Sequence, residues 1–386
     1  MRRHKASGAS IMTTIATVEV TPLRLPLRRP YIWSQGVEQA FAVNLIRITD
    51  SEGRQGIGET PAMPDAEAQK RVLDKIGGDL IGQVPFDITQ CLMRAEKAYF
   101  RAFGANMPRY FATLATGLEM AALDLQGRIT GRPVRDLLGG PVRDTVGYFH
   151  FLQGDTPDML AKDAAQAARD GHPILYLKVG LGDAADLAAV RAVRAAAPET
   201  RLRLDANEAW DQARAMRMMT VLKPYGIEYL EQPTPAASQA ALAHVAARAP
   251  IAIGADQSVF TLSEVHTACT THRADMIAVG PRELGGLRAL MKAAAVTEAA
   301  GVPLCIHSSM TSGITTCAEH EAGRCIPNLD DGNQIMWQLL RHDLVREPQL
   351  GPVRGRLSLP ARPGLGVELD EDVVSDAAAR HRRFSA

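Results

Sequence analysis

Residues 201–210 read RLRLDANEAW, a short run of alternating apolar residues that ends in Asp205. Two later runs have the same form: IEYLEQP at 227–233 contains Glu231, and IAIGADQS at 251–258 contains Asp256. Each run is typical of a β-strand, and an interval of about 25 residues between the acids is typical of a βα barrel. The pattern predicts three carboxylates at the C-terminal ends of neighbouring parallel strands.

Three carboxylates at one barrel mouth repel one another unless a hard divalent cation lies between them. One strand earlier, ILYLKVG at 174–180 places Lys178 at the same kind of position. Residues two apart on a strand face the same side, so Tyr176 shares the face of Lys178, and Asn207 shares that of Asp205. These residues predict a lysine base assisted by a metal ion.

The chain from residue 146 onward alternates short apolar strands with alanine-rich helical stretches. An open doubly wound sheet and a closed barrel both fit such alternation, but polar residues at so many successive strand ends favour the barrel. An eighth strand has no evident candidate after Pro327. The seven strand candidates are GYFHFL, ILYLKVG, LRLDAN, IEYLEQP, IAIGADQS, DMIAVGP and VPLCIHSS, the last of which contains His307.

A different pattern precedes the barrel. Residues 15–60 alternate as in a meander of antiparallel strands, and residues 65–135 have helical periodicity, which together predict a small α+β domain. The segment ARPGLGVELDED near the C-terminus resembles a return to that β-rich domain. We therefore expect a disordered tail at 1–13, with Met12 as an alternative start, and three further units at 14–138, 139–350 and 351–386.

Composition excludes several function classes. Among 386 residues, 43 are Lys or Arg and 43 are Asp or Glu, and no basic stripe is interleaved with aromatic residues, which argues against binding to nucleic acid. The five cysteines form no CxxC pair, which favours reduced thiols over disulfides or structural zinc. No apolar run approaches about 18 residues, so we expect a soluble cytoplasmic protein without a membrane segment.

The motifs together carry a resemblance. The order YLKVG, DANEAW, EQP and ADQS, preceded by EMAALDLQGRITGRPVRDLLGG and followed by a glycine pair at Gly285 and Gly286, resembles the enolase superfamily. Within it, the chain is similar to the mandelate racemase and muconate lactonizing enzyme group over nearly its whole length. The resemblance implies a modified TIM barrel, (β/α)7β, with an α+β capping domain built from the N-terminal part and the extreme C-terminus.

The resemblance also implies roles for individual residues. Asp205, Glu231 and Asp256 match the ligands of one Mg²⁺ per subunit, and Lys178 matches the lysine that removes the proton α to a carboxylate. The handling of the resulting ene-diolate by a metal ion and a lysine or histidine base is the known chemistry of this superfamily. Near the cation, we expect the protonated form of Lys178 to be disfavoured. Family members are commonly symmetric homo-oligomers, which we expect here too.

Three departures from the family pattern affect the chemistry. Tyr176 stands where a first lysine usually precedes the base, and a phenol would give the substrate carboxylate a single hydrogen bond instead of a positive charge. Gly280 stands where relatives carry a second lysine or the aspartate of an Asp–His dyad. His307 matches the racemase-type histidine but lacks that aspartate, and another carboxylate such as Glu283 could assist it.

The capping domain of such proteins supplies substrate specificity through two loops, expected here at 29–36 (RPYIWSQG) and 60–65 (TPAMPD). Their residues Tyr31, Trp33 and Met63 favour a small-molecule carboxylate with an apolar portion, unless these side chains merely pack between the domains. We expect an isomerase, either a racemase or epimerase or a cycloisomerase. The alternatives are an acid (sugar) dehydratase that uses the same intermediate, with some resemblance to glucarate dehydratase, and a metal-binding relative without turnover.

Overall fold

The N-terminal domain begins with a three-stranded antiparallel sheet. The computed structural model describes residues 13–103, 107–271 and 274–385, so the predicted tail lies, except for Thr13, outside the described residues. The sheet has the order β1-β2-β3, which confirms the predicted meander. Its strands are β1 (Ile15–Trp33), β2 (Gly36–Asp50) and β3 (Gln55–Pro61).

The first of the two predicted specificity loops is instead the end of a β-hairpin. Strand β1 pairs with β2 as far as Trp33, which lies opposite Gly36. Gly36 has a φ of 146°, a value that residues with a side chain rarely adopt, so it allows the tight return of the chain. The prediction of a loop at 29–36 was wrong because the sequence pattern weakens at Arg29 and Pro30 while the strand pairing resumes at Tyr31.

Three helices cover one face of this sheet. Asp65 caps the first of them by accepting a hydrogen bond from the Ala68 amide at 2.8 Å. The long third helix approaches the sheet closely, because a Cβ on Gly56 would lie 2.1 Å from the carbonyl oxygen of Ala121. The helices are α1 (Ala66–Leu80), α2 (Ile88–Phe103) and α3 (Met107–Thr130).

Seven parallel strands form the barrel sheet in the order β11-β10-β9-β8-β7-β6-β5. The register places Lys178 opposite Asp205, and Asp205 opposite Glu231, so the predicted functional residues of three strands lie at one level. The strands of this half of the chain are β4 (Val146–Gly147), β5 (His150–Phe151), β6 (Ile174–Lys178), β7 (Arg201–Asp205), β8 (Ile227–Glu231), β9 (Ala252–Ala255), β10 (Met276–Val279) and β11 (Leu304–Ile306).

Amphipathic helices connect the barrel strands. In the first of them, Thr156 caps the N-terminus, and Leu160, Ala164 and Ala167 recur three and four apart and are buried. No helix among the described residues is long and apolar enough to cross a membrane. The connecting stretches contain α5 (Pro157–Arg169), α6 (Asp183–Ala196), α7 (Gln212–Leu222), α8 (Gln239–Ala246), α9 (Leu262–Thr270), α10 (Pro281–Leu284) and α11 (Leu287–Ala299); α4 (Val134–Leu137) precedes the barrel strands and α12 (Gly313–Gly323) follows β11.

The segment 328–334 closes the barrel in place of a regular eighth strand. On one side, the Asp330 amide donates to the Leu304 carbonyl at 2.8 Å. On the other side, the Asn333 amide donates to the Gly147 carbonyl at 3.0 Å, and the Phe149 amide donates to the Asn333 carbonyl at 3.1 Å. The segment therefore bonds to β11 and to the chain around β4, at the place where the sequence offered no evident strand.

A buried arginine ties this closing segment to the barrel interior. The Arg203 guanidinium is fully buried and donates to Glu228 Oε2 at 2.7 Å, to Asp330 Oδ2 at 2.6 Å and to the Gly332 carbonyl at 2.7 Å. Two carboxylates and a carbonyl offset the cost of burying its charge. Arg203 thus joins β8 to the closing segment below the mouth of the barrel.

The C-terminal segment returns from the barrel to the N-terminal domain. Within α13, Glu371 forms an ion pair with Arg47 at 2.7 Å, and His381 Nε2 lies 3.0 Å from Glu67 Oε1. The Arg24 guanidinium lies 3.7 Å from the centre of the Phe384 ring. The elements of this segment are β12 (Val345–Glu347), β13 (Arg356–Leu357), which pairs with β4, β14 (Glu368–Leu369) and α13 (Glu371–Ser385).

A buried glutamate also joins the two domains. Glu59 on β3 accepts hydrogen bonds through Oε1 from the Ser312 amide at 3.0 Å, the Ser312 hydroxyl at 2.8 Å and the Thr315 amide at 2.8 Å. Ser312 is the N-cap of α12, so the carboxylate satisfies amide groups that have no partner within that helix. Burial nevertheless outweighs these bonds and raises the pKa of Glu59 to about 7.

Candidate active site

Three carboxylates lie buried at the C-terminal ends of β7, β8 and β9, as the sequence predicted. Glu231, Asp256 and His307 each bring a possible ligand atom into a cluster in which all three atoms lie within 4.8 Å of one another. Asp205 is adjacent to Glu231 in the sheet, but its Oδ2 atom is held by Lys178 at 2.5 Å. The three acids thus lie at one end of the barrel, and Asp205 is bonded to Lys178.

The carboxylates fit a divalent cation on electrostatic grounds. Burial and the charge of Asp205 outweigh the opposing effects of Lys178, Tyr176 and Arg203 and raise the pKa of Glu231 to about 8. Burial with the charges of Glu231 and Asp205 raises the pKa of Asp256 well above its ordinary range. Asp256 Oδ2 is buried and has no hydrogen-bond partner among the described residues. Hard oxygen donors crowded in this way suit Mg²⁺, which would offset their mutual repulsion.

Tyr176 lies beneath the acids and does not line the pocket. Its hydroxyl is 2.7 Å from Asp205 Oδ2 and 2.8 Å from Glu231 Oε1, and its side chain is fully buried. The ring stacks on Phe149 with centroids 4.2 Å apart and planes 3° apart. The expectation that this phenol would bond to the substrate carboxylate does not match its position, because stacking and burial direct the hydroxyl to the acids.

Lys178 is buried and forms an ion pair with Asp205. Burial alone would lower the pKa of Lys178, but Asp205, the Tyr31 phenol and Glu231 outweigh it and raise that pKa. The expectation of a disfavoured ammonium concerned a lysine beside a bound cation, so it stays a prediction, and the neighbouring acids act in the opposite direction. In this arrangement Lys178 is an ammonium group whose proton faces Asp205.

His307 follows β11 and faces the acids from another side of the mouth. Its Nδ1 atom lies 3.4 Å from Asp256 Oδ1 and 3.8 Å from Glu283 Oε1. Burial alone would raise the pKa of Glu283, but Arg282 and His307 outweigh it and lower that pKa to about 2. Gly280 has no side chain, so the carboxylates nearest to His307 are those of Asp256 and Glu283.

A cavity of about 620 Å³ lies between the barrel mouth and the capping domain. Lys178 at the end of β6 and His307 after β11 both line this cavity. Four strands lie between β6 and β11 in the sheet. Apolar and charged side chains share the wall of the cavity, including Arg24, Arg282 and Glu38. The residues predicted to bind substrate also line it, namely Tyr31, Trp33, Met63 and Asn207.

The β1–β2 hairpin is held against the mouth by hydrogen bonds. The Ser34 hydroxyl and the Gln35 side-chain amide donate to the Asn207 carbonyl at 3.1 and 2.9 Å. Asn207 follows β7 with a φ of 43°, a left-handed conformation that asparagine tolerates better than most residues. Its amide donates to Asp205 Oδ1 at 2.8 Å, so one residue fixes both a carboxylate and the capping hairpin.

Sequence reasoning missed a glutamine that links two strand ends. Gln232 Oε1 accepts hydrogen bonds from the Asp256 amide at 3.0 Å and from the Ser258 hydroxyl at 2.9 Å. The residue directly follows Glu231, and its polar side chain at a strand end was the available signal. Arg24 and Arg282 were also missed, because nothing in their local pattern distinguishes them from surface arginines.

Fold and site together define an α/β-barrel enzyme with a cluster of buried carboxylates beneath a capped pocket. Residues 159–373 match the family model described as enolase C-terminal domain-like, and residues 13–139 match the N-terminal domain of mandelate racemase and muconate lactonizing enzyme. The chain belongs to the mandelate racemase and muconate lactonizing enzyme family of the enolase superfamily.

Relatives with different reactions resemble the chain to similar degrees. It is 30% identical to muconate cycloisomerase 1 of Rhodococcus opacus, over 94% of this chain and 97% of that protein. It is 29% identical to the probable glucarate dehydratase of Streptomyces coelicolor, over 96% of this chain and 92% of that protein. A dipeptide epimerase of Enterococcus faecalis, solved with Mg and the dipeptide L-Leu-L-Tyr, superimposes with a TM-score of 0.82 and 25% identity, covering 92% of this chain and 99% of that one.

Proposed function

We propose that the protein is a Mg²⁺-dependent isomerase that abstracts the α-proton of a small-molecule carboxylate. Lys178 takes the proton from one face, and His307 returns a proton to the other face, which racemises or epimerises the substrate. A cycloisomerase would use the same ene-diolate. The observation that carries the proposal is that Lys178 and His307 line one cavity from distant strands, directly beside three buried carboxylates.

Asp205, Glu231 and Asp256 would hold the cation. When bound, Mg²⁺ would offset the negative charge that develops on the substrate carboxylate as the α-proton leaves. Tyr176 keeps two of the three acids in place through its hydroxyl. Gln232 positions the backbone of the third by accepting the Asp256 amide.

Lys178 must be a neutral amine before it can accept a proton. Its ammonium now occupies Asp205 Oδ2, the oxygen that also contacts Tyr176. Asp205 Oδ2 cannot bind the Lys178 ammonium and a metal ion at full strength at the same time. Binding of Mg²⁺ would therefore weaken the Lys178–Asp205 ion pair and favour the neutral amine. The aromatic rings of Tyr31 and Phe151 flank the amine, with centres 6.0 and 5.6 Å from Nζ.

The cavity favours a substrate with an apolar portion. Trp33 and Met63 of the capping domain line it, opposite the polar strand ends. A second cavity of about 250 Å³ shares Lys178 with the first and is lined by the apolar residues Ile32, Leu152, Leu160, Leu177 and Leu181. A carboxylate at the strand ends with an apolar arm toward these side chains is the substrate class that we infer.

The second candidate is an acid dehydratase. The 29% identity to the probable glucarate dehydratase over 96% of this chain supports it. In this reaction His307 would give its proton to a departing β-hydroxyl group instead of to the α-carbon. The first step at Lys178 is the same, so only the product separates the two candidates.

The test is α-proton exchange. A panel of hydroxy, amino and sugar acids, including apolar N-acylated amino acids, is incubated with the protein and MgCl₂ in D₂O and followed by NMR and polarimetry. Deuteration with inversion supports the isomerase, and a 2-keto acid supports the dehydratase. K178A should lower exchange by about 10³-fold, within the range for loss of a general base. Full exchange in K178A would contradict the assignment of the base.

A panel without any exchange has a different meaning. If Mg²⁺ binds and no acid exchanges its α-proton, the metal-binding relative without turnover becomes the better description. Calorimetric titration with MgCl₂ on the same sample decides whether the site is loaded. The exposed Glu298 provides a matched control, since E298Q removes a negative charge outside the site and should leave exchange unchanged.

A further inference from the structure

His307 has a buried ring nitrogen that lacks a partner. Its Nδ1 atom makes no hydrogen bond among the described residues, and the side chain is 13% exposed. Buried polar atoms in folded proteins nearly always have a partner, and the partner of one ring nitrogen decides which nitrogen carries the proton. The group that pairs with Nδ1 therefore sets the state of Nε2, the nitrogen left for the cavity that His307 lines.

Glu283 is built into a position beside this nitrogen. It is fully buried in the short helix α10, and its Oε2 atom accepts the Gly280 amide at 3.0 Å. Its Oε1 atom accepts Arg282 Nε at 2.5 Å and lies 3.8 Å from His307 Nδ1. Three hydrogen bonds, one from the Gly280 amide and two from the Arg282 guanidinium, thus hold the carboxylate with Oε1 on the side of the histidine.

Gly280 makes the approach of Glu283 possible. A Cβ on Gly280 would lie 2.0 Å from the His307 carbonyl oxygen and 3.1 Å from Glu283 Oε2. The first distance is far below a normal contact, so no side chain fits at this position without movement of the backbone. A carboxylate for His307 on this strand end must therefore come from further along the chain, and Glu283 is the residue that reaches it.

Asp256 is the other neighbour of the nitrogen, at 3.4 Å. Under the proposed function Asp256 is a cation ligand, and its carboxylate is committed to the cation. Glu283 has no such commitment. A small rotation of the ring or of the Glu283 carboxylate would bring the 3.8 Å separation into hydrogen-bond range, as often happens when a site is loaded.

We propose that Glu283 is the positioning residue of His307: its carboxylate accepts a hydrogen bond from Nδ1–H, so that Nε2 faces the cavity, where it accepts a proton and, once protonated, returns it. This inference rests on the proposed function for the role of His307. The proposal gives Glu283, a helix residue three positions beyond Gly280, the role that an acid at the end of the strand would otherwise have. The proton stays on Nδ1, so Glu283 acts only through the ring.

The proposal is tested by the ring tautomer of His307. The full chain, labelled with ¹⁵N-histidine and saturated with MgCl₂, is studied by long-range ¹H–¹⁵N correlation NMR at alkaline pH, and H307Q identifies the signals. The wild type should show the Nδ1–H form. E283L removes the acceptor and should shift the ring toward the Nε2–H form, whereas E298L, at an exposed position of α11, should not change it. Persistence of the Nδ1–H form in E283L would overturn the proposal.

Two further variants test whether Glu283 sets the tautomer of His307. E283D restores an acceptor on a shorter arm and should recover the Nδ1–H form in part, which a purely structural role would not predict. If E283L fails to fold, E283Q, which keeps an acceptor for the Gly280 amide, replaces it, and an unshifted tautomer there also overturns the proposal. The NMR experiment needs no substrate. If no acid in the D₂O panel exchanged its α-proton, that outcome would count against the proposed function and leave the tautomer result unchanged.

If the panel yields an active acid, the two faces of the reaction can be separated. E283L should lower α-proton exchange from the enantiomer handled by His307 by about 10-fold to 100-fold, the usual effect of losing such a partner. Exchange from the enantiomer handled by Lys178 should stay within about twofold. An equal loss for both enantiomers would indicate a structural role and overturn the proposal.

Discussion

The Lys178 ammonium and the Asp205 carboxylate form a buried ion pair, with Nζ 2.5 Å from Oδ2. Lys178 and a bound cation would therefore compete for the same oxygen atom of Asp205. Because an ammonium group and a cation repel each other, the lysine should weaken metal binding whenever it is protonated. The same repulsion favours the neutral amine once the site is loaded.

K178M should therefore bind Mg²⁺ more tightly than the wild type. Methionine keeps the volume of the side chain and removes the charge, which frees Asp205 Oδ2. We expect an increase in affinity of about 10-fold, equal to roughly 1.4 kcal/mol, measured by calorimetric titration. Weaker binding in K178M would show that Lys178 supports the site instead of competing with it.

Y176F should weaken Mg²⁺ binding while the fold is kept. The ring retains its stacking on Phe149, but Asp205 and Glu231 lose the hydroxyl that they share. Loss of such a supporting bond typically costs about 10-fold in metal affinity. Y229F is the matched control, because the Tyr229 hydroxyl lies 3.4 Å from Glu231 Oε2 and should matter less. Equal affinities in wild type and Y176F would rule out this positioning role.

E59Q should stabilise the protein at alkaline pH and not at acidic pH. Burial raises the pKa of Glu59 from its ordinary 4.5 to about 7, so the folded chain holds this proton more firmly than the unfolded chain. Stability from this group is therefore present below about pH 4.5 and is lost as the pH rises to about 7, by up to about 3 kcal/mol. Thermal unfolding at about pH 5 and about pH 8 compares the two proteins. A difference between them that does not change with pH would contradict the buried, proton-holding state.

R203M should destabilise the closed barrel. The substitution leaves Glu228 and Asp330 without the cation that pairs with both, and breaking a buried pair of this kind costs about 3–5 kcal/mol. R201M is the control, since Arg201 pairs with the same Glu228 from a more exposed position. Thermal unfolding measures both variants, and similar melting temperatures for the two would show that the buried contacts of Arg203 do not stabilise the closure.

The sequence predicted the parts of the site that depend on strand ends alone. Asp205, Glu231 and Asp256 each follow an apolar run, and parallel strands bring such ends to one mouth. The orientation of Tyr176 could not be predicted, because it depends on stacking against Phe149, a residue between β4 and β5. The raised pKa of Lys178 likewise depends on three-dimensional distances to acids that the spacing does not give.

The closing segment shows a second limit of prediction. Residues 328–334 read NLDDGNQ and have neither apolar alternation nor β-branched residues, so nothing in them indicates a strand. Their place depends on backbone bonds to β11 and to Gly147, and on the Arg203 side chain from another strand. The proximity of Glu283 to His307 could not be predicted either. It depends on the four-residue helix α10, which follows Gly280 and places the Glu283 side chain beside the histidine.

The contacts of α13 with the first domain have a consequence for how the chain can be divided. Arg24 and Arg47 lie on β1 and β2, whereas their partners Phe384 and Glu371 lie on α13, on the far side of the barrel in sequence. The capping domain is therefore assembled from two separate stretches of the chain, with the whole barrel inserted between them. A cut between the barrel and α13 would leave every barrel strand in place and still uncover the surface of β1 that the helix packs against.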